Sequence, residues 1–371
     1  MAQQRSILIF AGIIAFAVTL ALFFALAQAR LSPSPKELLA PCNVLQYNGQ
    51  DKINLLLIGE EETANFYNDY LFSKEPFLRN QQEFNVYSIN KDLSKECSIY
   101  KGIAVLCYSK ELLNLASSCP HDIVAVFAER SPEIRSSSYR GVISINTRHL
   151  PTVFLHEIGH ALANLAEEYV IPAPPQFDSK NCETQCKSFS IQEGCSDGCS
   201  DEKHVRASET SVMRSLKGEN YGLNNELIIE EKISSITSKK SSITGRVADS
   251  SIDCEEQTHY RLVLQETEDS IEVLDKIKVQ GCPEGNLLGT KTYKLINQDG
   301  EIASGLFSDG TIFTDAESSL GLEGEMFASK EPFYLALAIQ SGAEAISFFD
   351  SENNPLGENS LGDTGARLCK I

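Results

Sequence analysis

The chain is 371 residues long, more than one compact domain of ordinary size holds and enough for two domains and an anchor. Its 32 basic side chains against 51 acidic ones leave a net charge of −19, which repels a polyphosphate backbone and argues against nucleic-acid partners. Hydrophobic residues at 42% and charged residues at 22% are ordinary globular usage and exclude wholesale disorder.

At the N-terminus, Arg5 precedes an uncharged apolar run from Ile7 to Leu26, which is followed by Ala27-Gln28-Ala29 and Arg30. A run of about twenty residues, rising about 1.5 Å each, spans the hydrocarbon core of a bilayer. The small-x-small triplet instead fits cleavage after Ala29. Residues 1–30 are therefore expected to be a signal anchor, a transmembrane helix, or a cleaved signal peptide. The first makes the chain a single-pass cell-membrane protein with an extracytoplasmic body, and the second makes it secreted. Eleven Cys agree with an oxidising compartment, and the odd number leaves at least one without a partner in the chain.

Residues 31–50 read as a linker, stiffened by Ser32-Pro33-Ser34-Pro35. Over 51–237 the apolar runs Ile53 to Ile58, Phe84 to Ile89, Asp122 to Phe127 and Gly141 to Ile145 predict strands, separated by helical segments, so a sheet domain of α/β or α+β type is expected. Pro151 is placed to open a helix. Ile171-Pro172-Ala173-Pro174-Pro175 cannot be helical and leads into a Cys-rich loop. Glu226 to Ile236 predicts an amphipathic helix capped by Asn224 or Asn225, and Ser234 to Ser242 a linker. Over 244–371, short alternating runs separated by Gly, Asn and Asp predict an all-β sandwich of immunoglobulin-like size.

The chemistry concentrates in His156-Glu157-Ile158-Gly159-His160. Histidines four apart share one helical face, so both imidazoles reach one ion, commonly Zn²⁺, and Glu157 beside them is placed to take a proton from a water bound there. Motifs for a Ser, Cys or Lys nucleophile are absent. A third ligand has to come from the following stretch, where Glu167 and Glu168 are the acidic residues. On a straight helix Glu167 would lie about 10 Å beyond His160, so the chain must bend back, and Asn164 tolerates the left-handed conformation that allows it. Cys182-x-x-x-Cys186 and Cys195-x-x-x-Cys199 are compatible with a second zinc site or with two disulfides, and export favours the disulfides. Cys97, Cys107 and Cys119 are placed for a bridge in the first domain, and Cys254, Cys282 and Cys369 lie in the second.

The segment from His156 to Tyr169, with Ser211-Val212-Met213-Arg214 and Tyr221-Gly222-Leu223 downstream, resembles the IgA-peptidase-like family of zinc metallopeptidases in the metzincin clan. That resemblance implies an α+β metzincin-like zinc metallopeptidase domain over 51–237. It makes Met213 the Met-turn beneath the ligands and makes the strand beginning Gly141, Val142, Ile143 the edge on which a peptide substrate pairs. The chain departs from the better-known clan pattern, with Ala163 in place of Gly and Ala166 in place of the third ligand. Among the remaining candidates Glu168 is preferred, then Glu167, then His204. Tyr169 and Tyr221 are the oxyanion candidates. The expected function is zinc-dependent endopeptidase action on a protein or peptide substrate outside the cytoplasm, with Glu157 as general base. The alternative is a surface adhesion or envelope protein with a structural metal site and a binding sandwich.

Overall fold

The apolar runs around Leu55, Val86, Val124 and Ile143 are strands of one sheet in the computed structural model of this protein. It describes residues 39–171, 174–175, 179–191, 194–244, 253–267, 270–285, 287–318, 321–338 and 343–361. In chain order the first elements are β1 (Asn43–Gln46), β2 (Ile53–Gly59), α1 (Glu61–Phe72), β3 (Phe84–Asn90), β4 (Ser98–Tyr100), β5 (Ala104–Leu106), α2 (Lys110–Ala116), β6 (Ile123–Ala128), β7 (Ser136–Tyr139), β8 (Val142–Asn146) and α3 (Thr152–Ala163). Next come the short strands β9 (Cys182–Glu183), β10 (Ser196–Cys199) and β11 (Asp201–Arg206), then the long helix α4 (Leu223–Thr244). The regular elements after it among the described residues are, apart from one short 3-10 turn at Cys254–Glu256, strands: β12 (Thr258–Glu266), β13 (Ile271–Gln280), β14 (Lys291–Asn297), β15 (Gly300–Phe307), β16 (Thr311–Ser318), β17 (Gly321–Ala328), β18 (Phe333–Ala338), β19 (Ala345–Phe349) and β20 (Pro355–Ser360).

The principal sheet has eight strands in the order β1-β3-β2-β6-β8-β7-β16-β17. β3, β2, β6 and β8 run parallel, and β7 and β16 add antiparallel strands to the β8 side. Parallel strands buried on both faces read as near-continuous apolar runs, because successive side chains serve opposite cores. Leu55 and Leu57 enter the core that α1, α3 and α4 cover, while Leu56 and Ile58 enter the other core, which α2 covers. Beyond α4, β13-β12-β18 and β15-β14-β19-β20 form two further sheets. Leu262, Leu264, Phe333 and Leu335 from one meet Tyr293, Leu295, Phe307 and Phe348 from the other in a shared core.

Three expectations are corrected here. First, the fold class is not an α+β metzincin-like domain with a sandwich appended. Among the described residues 20 strands in five sheets stand against four α-helices, and β16 and β17 leave the C-terminal sheets to extend the principal one. The two parts are also bound directly: the Arg261 guanidinium donates to Leu113 O at 2.9 Å and to Ser117 Oγ at 3.0 Å, and the residues from Leu39 onward cluster as one compact unit. Second, the linker expected over Ser234 to Ser242 is helix. Ile229, Ile233, Ile236 and Lys240 recur at helical spacing and are buried, with Lys240 Nζ bonded to Lys52 O at 2.8 Å and paired with Asp122. Third, among the described residues no helix is long and apolar enough to cross a membrane, so the single-pass expectation is not supported by them. The run Ile7 to Leu26 on which it rested lies outside the described residues.

Among the described residues five disulfides are present: Cys42–Cys119, Cys97–Cys107, Cys182–Cys199, Cys186–Cys195 and Cys254–Cys282. They are the arrangement of an oxidising compartment. The Cys-rich loop is therefore stapled rather than metallated, while Cys369 lies outside the described residues.

Candidate metal centre

α3 begins at Pro151, packs across β7 and β8, and buries every residue from Thr152 to Ala163 except Ala161. Its i, i+4 pair places His156 Nε2 and His160 Nε2 3.0 Å apart. Each ring is held from behind: His156 Nδ1 faces Val212 O at 3.0 Å and His160 Nδ1 faces Leu165 O at 2.6 Å. A carbonyl only accepts, so in the neutral ring the proton sits on Nδ1 and both Nε2 lone pairs point at one spot.

Asn164 ends the helix in the left-handed conformation, φ 52° and ψ 37°, and the Leu165 N–H reaches back to Gly159 O at 3.2 Å. That reversal brings Glu167 under the histidines. Its carboxylate oxygens lie 3.1 Å from His160 Nε2 and 3.3 Å from His156 Nε2. The loop holding it is supported by the residues that flank the Cys182–Cys199 disulfide: the Asn181 side chain accepts the Ala166 N–H and donates to Ala166 O, and Ser200 Oγ donates to Glu167 O.

A fourth acid arrives from far along the chain. Asp315, on β16, places Oδ2 3.4 Å from His156 Nε2, and its Oδ1 accepts from the Tyr169 hydroxyl. His156, His160, Glu167 and Asp315 each bring one donor atom into a group spanning no more than 4.8 Å, and all four are buried. Glu167 Oε2 and Asp315 Oδ2 are buried without a hydrogen bond of their own. Two imidazole lone pairs and two such carboxylate oxygens aimed at one point form a donor set that suits a divalent cation. The charges show the same preference. Burial alone pushes the His156 imidazole down, but Asp315 and Glu167 outweigh it and hold the ring well above its usual range. Burial alone likewise pushes Glu167 up, and His160 and His156 reverse that and hold it low.

Glu157 is fully buried beside this group, and neither of its carboxylate oxygens has a hydrogen-bond partner. Burial, and after it the Asp315 charge, pushes its pKa well above the usual carboxylate range.

The preferred third ligand, Glu168, lies elsewhere. Its carboxylate accepts from Ser211, from Asn225 at 2.8 Å and from Asn181 at 3.4 Å, and its N–H donates to Met213 O at 3.1 Å. Glu168 thus ties the Met213 segment to the ligand loop, and the second choice, Glu167, is the one beside the imidazoles. His204 is bonded to Asp201 at 2.7 Å, outside the group. Met213 is fully buried beneath α3, against Gly159. Gly141, Val142 and Ile143 are corrected as a substrate edge: β8 is paired on both sides, with β6 and with β7, so its ladder groups are taken. Tyr221 donates to Leu155 O within the core and Tyr169 is committed to Asp315, so neither hydroxyl is free to face a substrate here.

Asp315 carried no signal in the sequence. Thr311 to Ser318 reads as one more short run among the C-terminal strands, and only the pairing of Phe313, Thr314 and Asp315 with Ser138, Ser137 and Ser136 brings it to the histidines. A groove of about 410 Å³ runs beside His160 and Phe313, bounded by Tyr139, Arg140, Asn164 and Ile228. Compared with models of known protein families and with curated protein sequences, the chain matches none.

Proposed function

We propose that this chain is a zinc-dependent endopeptidase of an oxidising, extracytoplasmic setting, with a polypeptide as substrate. The observation that carries the proposal is Glu157. A fully buried carboxylate with both oxygens unpartnered costs about 1–3 kcal/mol or more, and no hydrogen bond among the described residues offsets that cost. Such a group next to a metal-ligand pair is what general-base chemistry needs.

The donor set supports zinc. Ligand atoms about 2.0–2.1 Å from a tetrahedral ion stand about 3.3 Å apart. The two Nε2 atoms stand 3.0 Å apart, Asp315 Oδ2 stands 3.4 Å from His156 Nε2, and each Glu167 oxygen stands 3.1 or 3.3 Å from one of the imidazoles, spacings near that value. His156, His160 and Glu167 would hold the ion, which when bound would supply Lewis acidity toward a carbonyl oxygen and a water of pKa about 7. Glu157 takes the proton of the attacking water and returns it to the leaving amine nitrogen. The hydrogen bonds of His156 to Val212 O and of His160 to Leu165 O keep both rings oriented while it does so.

Asp315 favours a second reading, a structural metal in a surface protein, because four protein ligands close a zinc site. The two part on Glu157, for which a structural site has no use. The test is cleavage of an unstructured peptide library by zinc-loaded protein, made in the unaltered chain and in Asp315→Ala because the fourth carboxylate stands on the site. The peptidase reading expects cleavage in at least one background that Glu157→Gln lowers at least 10²-fold with zinc retained. No cleavage in either background, or cleavage that survives Glu157→Gln, rejects it.

A further inference from the structure

The site is sealed. His156 and Glu157 are fully buried, His160 is 5% exposed, and Asp315 and Thr314 above them are fully buried too. The cover comes from β16. The Phe313 ring stacks on the His160 ring with centroids 4.0 Å apart and planes 17° from parallel, and Asp315 stands at the histidine nitrogens. β16 also pairs with β7, the strand that would otherwise be the free edge of the sheet beside α3. An extended peptide binds such an edge through main-chain hydrogen bonds, so β16 stands where a substrate strand would lie.

Resting on the peptidase reading above, we infer that the β16–β17 hairpin is an autoinhibitory plug. Asp315 supplies a fourth ligand that closes the metal site, Phe313 covers His160, and β16 fills the β7 edge. Activation is displacement of the hairpin.

The hairpin is built to lift as a unit. β16 pairs with β17 at eight positions but with β7 at only three. Among the described residues no disulfide ties it to the rest of the chain. Its outer strand is held by contacts at the surface: Glu325 pairs with Arg135 at 3.2 Å, and Phe327 lies under the Lys101 ammonium and against Tyr100. Exposed pairs of this kind contribute little each. Gly324 fits the same account. A Cβ there would run into the Tyr169 hydroxyl and Asp315 Oδ1, so the absent side chain is what lets β17 close over the Tyr169–Asp315 hydrogen bond.

The test uses the zinc-loaded full chain and acetohydroxamate, a small metal-coordinating probe whose binding is read by calorimetry and needs no peptidase activity. Asp315→Ala and Gly324→Ala should each bind acetohydroxamate at least tenfold more tightly than the unaltered chain, with one equivalent of zinc retained. Asp315→Asn, which keeps an acceptor for Tyr169, should do the same, and decides the matter together with Gly324→Ala if Asp315→Ala does not fold. Equal binding by the unaltered chain and the folded variants overturns the plug. If the variants bind the probe tightly yet cut no peptide, the plug stands and the peptidase reading falls.

Discussion

The sulfur of Met213 occupies the space that a Cβ on Gly159 would need, 2.9 Å from where that carbon would stand, with Tyr221 at 3.1 Å and Leu165 at 3.3 Å on its other sides. Gly159 is therefore in the histidine-bearing helix so that the Met213 segment can approach it. Alanine would gain about 1 kcal/mol of helix propensity but overpack this contact at about 1–3 kcal/mol. Gly159→Ala is expected to lower the melting temperature, and Met213→Val in the same chain to recover part of the loss by making room. Independent, additive effects in a double-mutant cycle would show that the two residues do not press on each other.

The adjacent acids should separate cleanly. Glu167→Ala removes a group that faces both imidazoles and should weaken zinc binding at least tenfold while the fold persists. Glu168→Ala instead takes the acceptor from the buried Ser211 hydroxyl, at about 1–3 kcal/mol, and one of two acceptors from each of Asn225 and Asn181, which keep Tyr221 O and Ala166 O. It should lower the denaturation midpoint sharply while the folded fraction still carries one equivalent of zinc. Metal analysis beside a urea titration checks both, and an exchange of the two phenotypes would overturn the assignment.

These two residues also mark where the sequence stops being informative. The i, i+4 histidines, Glu157 between them and the bend at Asn164 follow from local rules of helix geometry and left-handed tolerance, and the strands around Leu55, Val86, Val124 and Ile143 follow from apolar runs. Which of Glu167 and Glu168 turns toward the two imidazoles depends on how the loop is pinned by Asn181 and Ser200, residues that come after a Pro-rich excursion of no periodicity. Asp315 lies further still from any local rule, because its role arises from a strand that changes sheets. Composition misled at Ser234 to Ser242, where Ser and Lys suggested a linker but Ile236 and Lys240 are buried against the sheet.

The Cys-rich loop supplies a prediction about metal count. Cys182–Cys199 joins residues 17 apart and encloses Cys186–Cys195, so its removal frees the two chain segments that Asn181 and Ser200 flank and costs about 3 kcal/mol of stability. The Cys182→Ser, Cys199→Ser double variant should still bind one equivalent of zinc, with lower affinity because Ala166 and Glu167 lose their support. Elemental analysis showing two equivalents in the unaltered protein and one in the variant would return the cysteines to a metal role.

Glu284 sits where the C-terminal strands meet the principal sheet, near Asp122, Arg140 and Arg261, and burial, then the Asp122 charge, pushes its pKa from about 4.5 to about 7 against the pull of the two arginines. The folded protein therefore keeps this proton at pH values where the unfolded chain has released it. Between pH about 4.5 and about 7 the folded state binds more protons, so the Glu284 contribution to stability is greatest below that window and falls as pH rises through it. His259 acts in the opposite direction: its pKa is pushed down to about 4, chiefly by burial, so its contribution falls as pH drops from about 6.5 toward 4. The two effects are separated by difference. Urea midpoints of the unaltered chain and of Glu284→Gln, taken at pH 5 and pH 7.5, should show the variant gaining relative stability at the higher pH, because the neutral amide carries no charge to bury. A midpoint difference that stays constant between the two pH values would mean that Glu284 titrates at its ordinary value and that this junction is open to water.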